Sequence, residues 1–257
     1  MYLKTVGLVL RVTPYKEADA LLTLLTPEHG KLTVKARGLR RKNSPLVAPC
    51  QLLTYGEFTL FEYRSMYTIN EAHAIALFTP LRRDLQKLSL GTYFAQAAEV
   101  LSQEDLPNPE LLSLVLNCMY ALSDMDVDVN LVKSVFELRS ACLAGYEPNL
   151  YGCHRCGNPF PDRFDLSEGR LECSGCRDSA STGIRMPING GMLEAMHYIT
   201  TCDSKKLFSF SVGKETLQQL SSVTESYLTT QLERGFSTLD FYKSLLIPTS
   251  GVGENYV

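Results

Sequence analysis

The sequence has no run of about 18 apolar residues, which excludes a helical membrane span and argues against a membrane partner. Internal repeats and low-complexity tracts are also missing, so neither a solenoid nor a disordered tether is expected. No GxxxxGKS or GxxxxGKT loop is present to cradle a nucleotide, and there is no GxSxG elbow and no HExxH helix. Histidine is scarce, with His29, His73, His154 and His197 far apart in the chain. Asn189-Gly190-Gly191 lacks the third glycine and the preceding strand of a dinucleotide fingerprint and reads as a helix start. With no catalytic constellation, the protein is expected to be non-enzymatic and to have no small-molecule substrate. The N-terminal run MYLKTVGLVLRVTPYKEAD has neither a basic leader nor a small-residue cleavage site, so it reads as a first strand and the protein as cytoplasmic.

What is present is an ordinary globular composition, 45% apolar and 21% charged over 257 residues, enough for one or two domains. The formal charge of −3 conceals an asymmetry. Residues 1–80 hold ten Lys and Arg against six Asp and Glu, a net of +4, and the remainder holds fifteen against twenty-two, a net of −7. A polyanion, if one binds, belongs at the front.

The front half reads as five short strands, Leu3–Val12, Ala20–Thr26, Lys31–Ala36, Gln51–Phe61 and Met66–Ala76, separated by turn signals such as Thr26-Pro27-Glu28-His29-Gly30. Five strands in so short a stretch predict a small barrel, since an open sheet of that size would expose unpaired edges. Near Thr79-Pro80 the period changes to about 3.6, giving one helix over 81–101, a second from Pro109 to Ser123, and a third from an N-cap at Asn130 to Gly145. Further helices are expected over Gly191–Thr200, Lys214–Arg234 and Leu239–Leu246. The tail 248–257 reads as frayed.

Eight cysteines in a reducing compartment do not suggest disulfides. Cys50, Cys118, Cys142 and Cys202 stand singly in apolar contexts and are expected to be packing residues. Cys153, Cys156, Cys173 and Cys176 instead form two CxxC pairs sixteen residues apart, the spacing of a four-thiolate zinc site, with Gly157 and Gly175 as knuckle glycines. Four thiolates close a tetrahedral shell, so the Zn2+ is expected to be structural, and no His-x-Glu is present to make it a deaminase centre. Its expected task is to supply folding energy to a long connection. Residues 150–178 have a net charge of −1, and a divalent ion on four thiolates adds −2, which makes the finger a poor phosphate binder.

The strongest positive feature is KLTVKARGLRRKNSP, where Lys31, Lys35, Arg37, Arg40, Arg41 and Lys42 meet no acid before Leu53. These six are the candidate DNA-binding residues, a phosphate track on a flexible loop. Phe58, Phe61, Tyr63 and Tyr67 on the neighbouring hairpin can offer stacking faces for bases, although Phe58 and Phe61 are expected in the core.

Three stretches resemble the bacterial recombination mediator family RecO: YKEADALLTLLTPEHGKLTVKARGLRRKNS, LRSACLAGYEPNLYGCHRCGNP and GIRMPINGGMLEAMHYI. The resemblance implies an α+β protein with an N-terminal five-stranded OB-fold barrel (1–79), a helical domain in two parts (80–149 and 179–247) and an inserted four-cysteine zinc finger (150–178). It further implies a nucleoid-associated DNA repair protein that binds single- and double-stranded DNA and anneals complementary strands. The expected partners are RecR, the C-terminal tail of single-stranded DNA-binding protein and, indirectly, the RecA pathway. Arg82, Arg83 and Lys87 are one place for such an acidic tail. Two other readings remain: a zinc-stabilised interaction scaffold that does not touch DNA, and a zinc-dependent hydrolase.

Overall fold

A computed structural model describes residues 1–176 and 183–247. The tail 248–257 lies outside the described residues, as do Arg177 and Asp178 of the finger. Five strands, β1 (Tyr2–Tyr15), β2 (Asp19–Thr26), β3 (Gly30–Ala36), β4 (Tyr55–Tyr63) and β5 (Met66–Ala76), close a barrel in the order β1-β2-β3-β5-β4. The last seam is parallel and short, pairing Val34 with Tyr67 and Lys35 with Thr68. The architecture is α+β, an OB-like barrel followed by helices.

β1 is longer than its apolar run because it serves two neighbours, pairing with β4 over Tyr2–Leu8 and with β2 over Leu8–Tyr15. A bulge between Val9 and Arg11 shifts its side-chain parity. Val9 points into the barrel and Leu8 and Leu10 out into a second core, and past the bulge it is Val12, not Arg11, that packs against the barrel core. β4 begins at Tyr55, four residues later than the pattern suggests, because Leu53 adopts the left-handed φ of 62° and ends any strand there.

The helical half holds α1 (Thr79–Arg82), α2 (Leu85–Leu101), α3 (Pro109–Asp124), α4 (Val129–Leu143), α5 (Gly190–Thr201), α6 (Lys214–Gln231) and α7 (Ser237–Leu246). The expected single helix over 81–101 is broken because Asp84 caps α2, its carboxylate accepting from the Lys87 N–H at 3.0 Å. The cap of α4 is Asp128, two residues before the expected Asn130, whose N–H it receives at 2.8 Å. Between α4 and α5 a small sheet of order β6-β8-β7-β9 is formed by Asn149–Cys153, Arg170–Glu172, Arg163–Asp165 and Arg185–Pro187.

Barrel and helices meet tightly. Gly30, at φ +56°, approaches the α2–α3 connection so closely that a Cβ there would lie 2.1 Å from the Leu106 carbonyl oxygen. Beside it the Lys31 ammonium donates to the Glu99 carbonyl at 3.1 Å, near the end of α2, and Arg11 pairs with the Glu99 carboxylate at 2.9 Å.

A buried ion cluster ties four helices together. Lys133, 2% exposed on α4, lies 2.9 Å from Glu137 one turn on and 2.8 Å from Glu225 on α6, and Lys243 on α7 completes the chain at 2.7 Å. Glu137 also accepts from the Tyr93 and Thr224 hydroxyls at 3.2 and 2.8 Å. Burial disfavours the Lys133 ammonium, but the two carboxylates outweigh it and hold the charge in place. Lys133→Ala leaves Glu137 without its cation in the core and is expected to cost about 3–5 kcal/mol, whereas replacing both by apolar residues costs far less. Urea midpoints at constant slope measure both, and equal losses would contradict this account.

Candidate functional site

Aromatic and basic residues of the barrel gather at a groove lined by both ends of β1, the end of β3 and the β4–β5 hairpin. Along β4, alternation sends Phe58 and Leu60 inward and Phe61 and Tyr63 outward, so Phe58 and Phe61 cannot share the core. The expectation that both are buried fails for Phe61, which is 40% exposed. Tyr2 and Tyr15 have opposite parity in the sequence, yet the β1 bulge turns both outward. With Phe61, Tyr63 and Met66 they line a groove of about 670 Å³, open on the barrel surface, with Lys35, Arg37 and Asn70 on its walls and no carboxylate among its lining residues. Tyr2 and Phe61 rings lie 5.2 Å apart, the Lys35 and Lys16 ammoniums sit 5.2 and 5.5 Å from the Tyr15 centroid, and Arg64 sits 5.2 Å from that of Tyr63. Tyr67 is half-buried and outside this lining.

The six expected cations do not lie together as one set. Lys31 is separated from the others, at the far end of β3 with its ammonium on the Glu99 carbonyl. Lys35 is half-buried and 2.9 Å from the Asp19 carboxylate. Asp19 also receives the Gly38 N–H at 2.8 Å, and these two donors hold its carboxyl below the usual range. Arg37, Arg40, Arg41 and Lys42 are exposed and have no side-chain hydrogen bond or ion pair among the described residues. Arg37 lines the groove, the Arg40 N–H binds the Ala18 carbonyl of the β1–β2 turn at 2.9 Å, and the Arg41 side chain folds back over Gly38. Their loop, expected to be flexible, is a chain of turns fastened by buried Leu39 and Cys50 at the barrel's end.

Arg82 is engaged within the fold. It donates to the carbonyls of Leu77 and Leu52 at 2.7 and 2.6 Å and to the Thr54 hydroxyl at 3.1 Å, lacing the barrel exit to the turn before β4.

The four paired cysteines converge, their sulfurs all within 4.8 Å of one another. Cys156 Sγ and Cys173 Sγ are 3.8 Å apart, matching the edge of about 3.8 Å that a tetrahedral ion with bonds of about 2.3 Å imposes. Gly157 takes the left-handed φ of 71°, and Gly152, which composition did not mark, takes 89° with a would-be Cβ only 2.9 Å from the Asn158 carbonyl oxygen. Gly175 needs no such conformation. Burial opposes the Cys153 thiolate, but N–H groups of Cys156, Arg155 and Cys173 outweigh it and set the thiol at about 6. Its neighbours push Cys176 up to about 12, so the cluster needs a cation before it can carry four negative charges. The donor set fits a closed thiolate metal centre.

The connection is not short of folding energy of its own. Leu150, Phe164, Leu166 and Leu171 of the small sheet enter the main core. Arg185 bridges the buried carboxylates of Asp165 and Glu172 at 3.2 and 2.6 Å. Arg155 and Arg170 are paired with Glu172 and Glu168 at 3.4 and 3.6 Å. Of the single cysteines, Cys50 and Cys118 are buried and Cys142 and Cys202 partly so.

Treating the full chain with a chelator is therefore expected to make the four thiols reactive while helical circular dichroism and the urea midpoint change little. Arg185→Ala, which takes a cation away from two buried carboxylates and leaves Glu172 only Arg155, is expected to cost about 3–5 kcal/mol. Loss of helix on chelation would contradict this division of labour.

The family model described as "Recombination protein O N terminal" matches residues 1–78, and that described as "Recombination protein O C terminal" matches residues 82–240. A protein named DNA repair protein RecO from Acetivibrio thermocellus is 35% identical over 95% of this chain and 97% of its own length. Its namesake from Alkaliphilus metalliredigens is 30% identical over 95% of the chain and all of its own length. That from Symbiobacterium thermophilum is 27% identical over 93% and 96%.

Proposed function

The chain belongs to the RecO family of DNA repair proteins, and from that premise we propose that it grips single- and double-stranded DNA through the barrel and anneals complementary strands without chemistry of its own. The observation that carries this reading is the group of exposed cations, Arg37, Arg40, Arg41 and Lys42, with no carboxylate partner among the described residues and a cation-lined groove beside them. Cations free of internal partners release counterions when they meet phosphate, and this entropy drives polyanion binding. Neutralising the phosphates of two strands at one rim lowers their repulsion, so pairing can nucleate. Lys35 joins the track only by sharing itself with Asp19, and Lys31 serves the fold.

The remaining assignments rest on the family. RecR and the C-terminal tail of single-stranded DNA-binding protein are the partners, through which RecA is loaded. The acidic balance of residues 81–257, a net of −7, disfavours a continuous DNA path over the helices and suits that half to protein contacts. The ion at the four cysteines is Zn2+ with a structural task, and the protein works in the bacterial cytoplasm at the nucleoid. No described helix is long and apolar enough to cross a membrane.

The Arg40→Ala/Arg41→Ala variant tests the track. The slope of log affinity against log salt is expected to flatten by about 1.4 units on single strands and about 1.8 on duplex, two phosphate contacts in each case. An unchanged slope would overturn the assignment and favour a scaffold that leaves DNA alone.

A further inference from the structure

The groove at the β3–β5 seam has a character that phosphate contacts do not account for. Tyr2 and Tyr63 are each 61% exposed and Phe61 40%, so three aromatic rings face solvent side by side on one outer face of the barrel. Large apolar side chains gathered on a surface normally mark a binding site. The rings are rimmed by cations: Arg64 lies over Tyr63, Lys16 and Lys35 over Tyr15, and Arg37 stands on the wall. No carboxylate lines the groove. An aromatic floor between cationic walls suits a ligand that presents flat π-faces and negative charge together at the spacing of a polymer, which is an unpaired nucleotide strand. A duplex hides those faces in its stack and can present only its phosphates.

We infer that Tyr2, Phe61 and Tyr63 form a base-stacking floor that engages unpaired bases, distinct from the loop cations that hold phosphates of either strand form. The inference rests on the DNA-binding reading above and adds the part of the ligand it recognises. Two residues of the floor come from β4 and one from β1, paired directly in the sheet as Tyr2 with Phe61, so its geometry is set by strand register and not by a loop. Asn70, from β5 on the same groove wall, adds an amide that can bond base edges. As an annealing device the arrangement splays a single strand with its bases held on one side and its backbone on the other, then loses hold of the bases once they pair.

An abasic oligonucleotide of equal length separates the two parts, because it keeps every phosphate and lacks every base. The wild-type protein is expected to bind a thymine single strand at least tenfold more tightly than its abasic counterpart, since each stacked base contributes about 1–3 kcal/mol. In the Phe61→Ala/Tyr63→Ala variant that preference is expected to fall to near unity, while duplex affinity and the duplex salt slope stay at wild-type values. The side chains are exposed, and an unchanged thermal midpoint checks that the barrel persists. Equal wild-type binding of thymine and abasic strands would overturn the stacking floor and leave the phosphate track standing. A preference retained by the variant would equally overturn the assignment to these rings. If the Arg40/Arg41 salt slope is unchanged while the thymine preference appears, the phosphate track fails and the floor survives.

Discussion

One strand serves two cores, and the rest of the molecule depends on it. β1 sends Val9 into the barrel and Leu8 and Leu10 into the helical core, and closes the barrel by pairing on both edges. Each side chain buried this way contributes on the order of 1.5–3 kcal/mol, so the barrel cannot move against the helices without exposing Leu8 and Leu10. Gly30 at the start of β3 and the Arg11–Glu99 pair on β1 itself hold the same interface. The face carrying the aromatic groove is thereby fixed relative to the acidic helical half.

The fold was largely legible because its signals are local. Apolar alternation marked five strands, the change of period near Pro80 marked the helices, and paired CxxC spacing marked the thiolate cluster that the structure brings together. What escaped depends on long-range geometry. The β1 bulge, which no residue type announces, decides that Tyr2 and Tyr15 face the same way. The six-cation cluster looked uniform because sequence shows which acids are near in the chain and not which are near in space. Asp19 lies sixteen residues before Lys35, and the Glu99 carbonyl lies sixty-eight after Lys31. The strands over 163–165, 170–172 and 185–187 are too short to carry a period, and they bury Phe164 and Leu171 in a core built mostly from distant helices.

Charge is sorted by how it is compensated. In the helical half buried ions are matched one to another, as in Lys133 with Glu137 and Glu225, or Arg185 with Asp165 and Glu172. The finger's Arg155 and Arg170 are matched as well. At the barrel rim the cations are left over. A surface that leaves like charges unpaired raises local potential and steers polyanions toward it, whereas matched ions specify packing. The four cysteine sulfurs gather at a knuckle whose sheet is anchored in the core.

Amide hydrogen exchange of the full chain, with and without a saturating thymine oligonucleotide, tests the central claim most directly. Protection is expected at both ends of β1, over residues 35–42 and over 61–70, with the helices α3 to α7 unchanged. Protection centred on the helical half or the finger, with the barrel face untouched, would contradict the account.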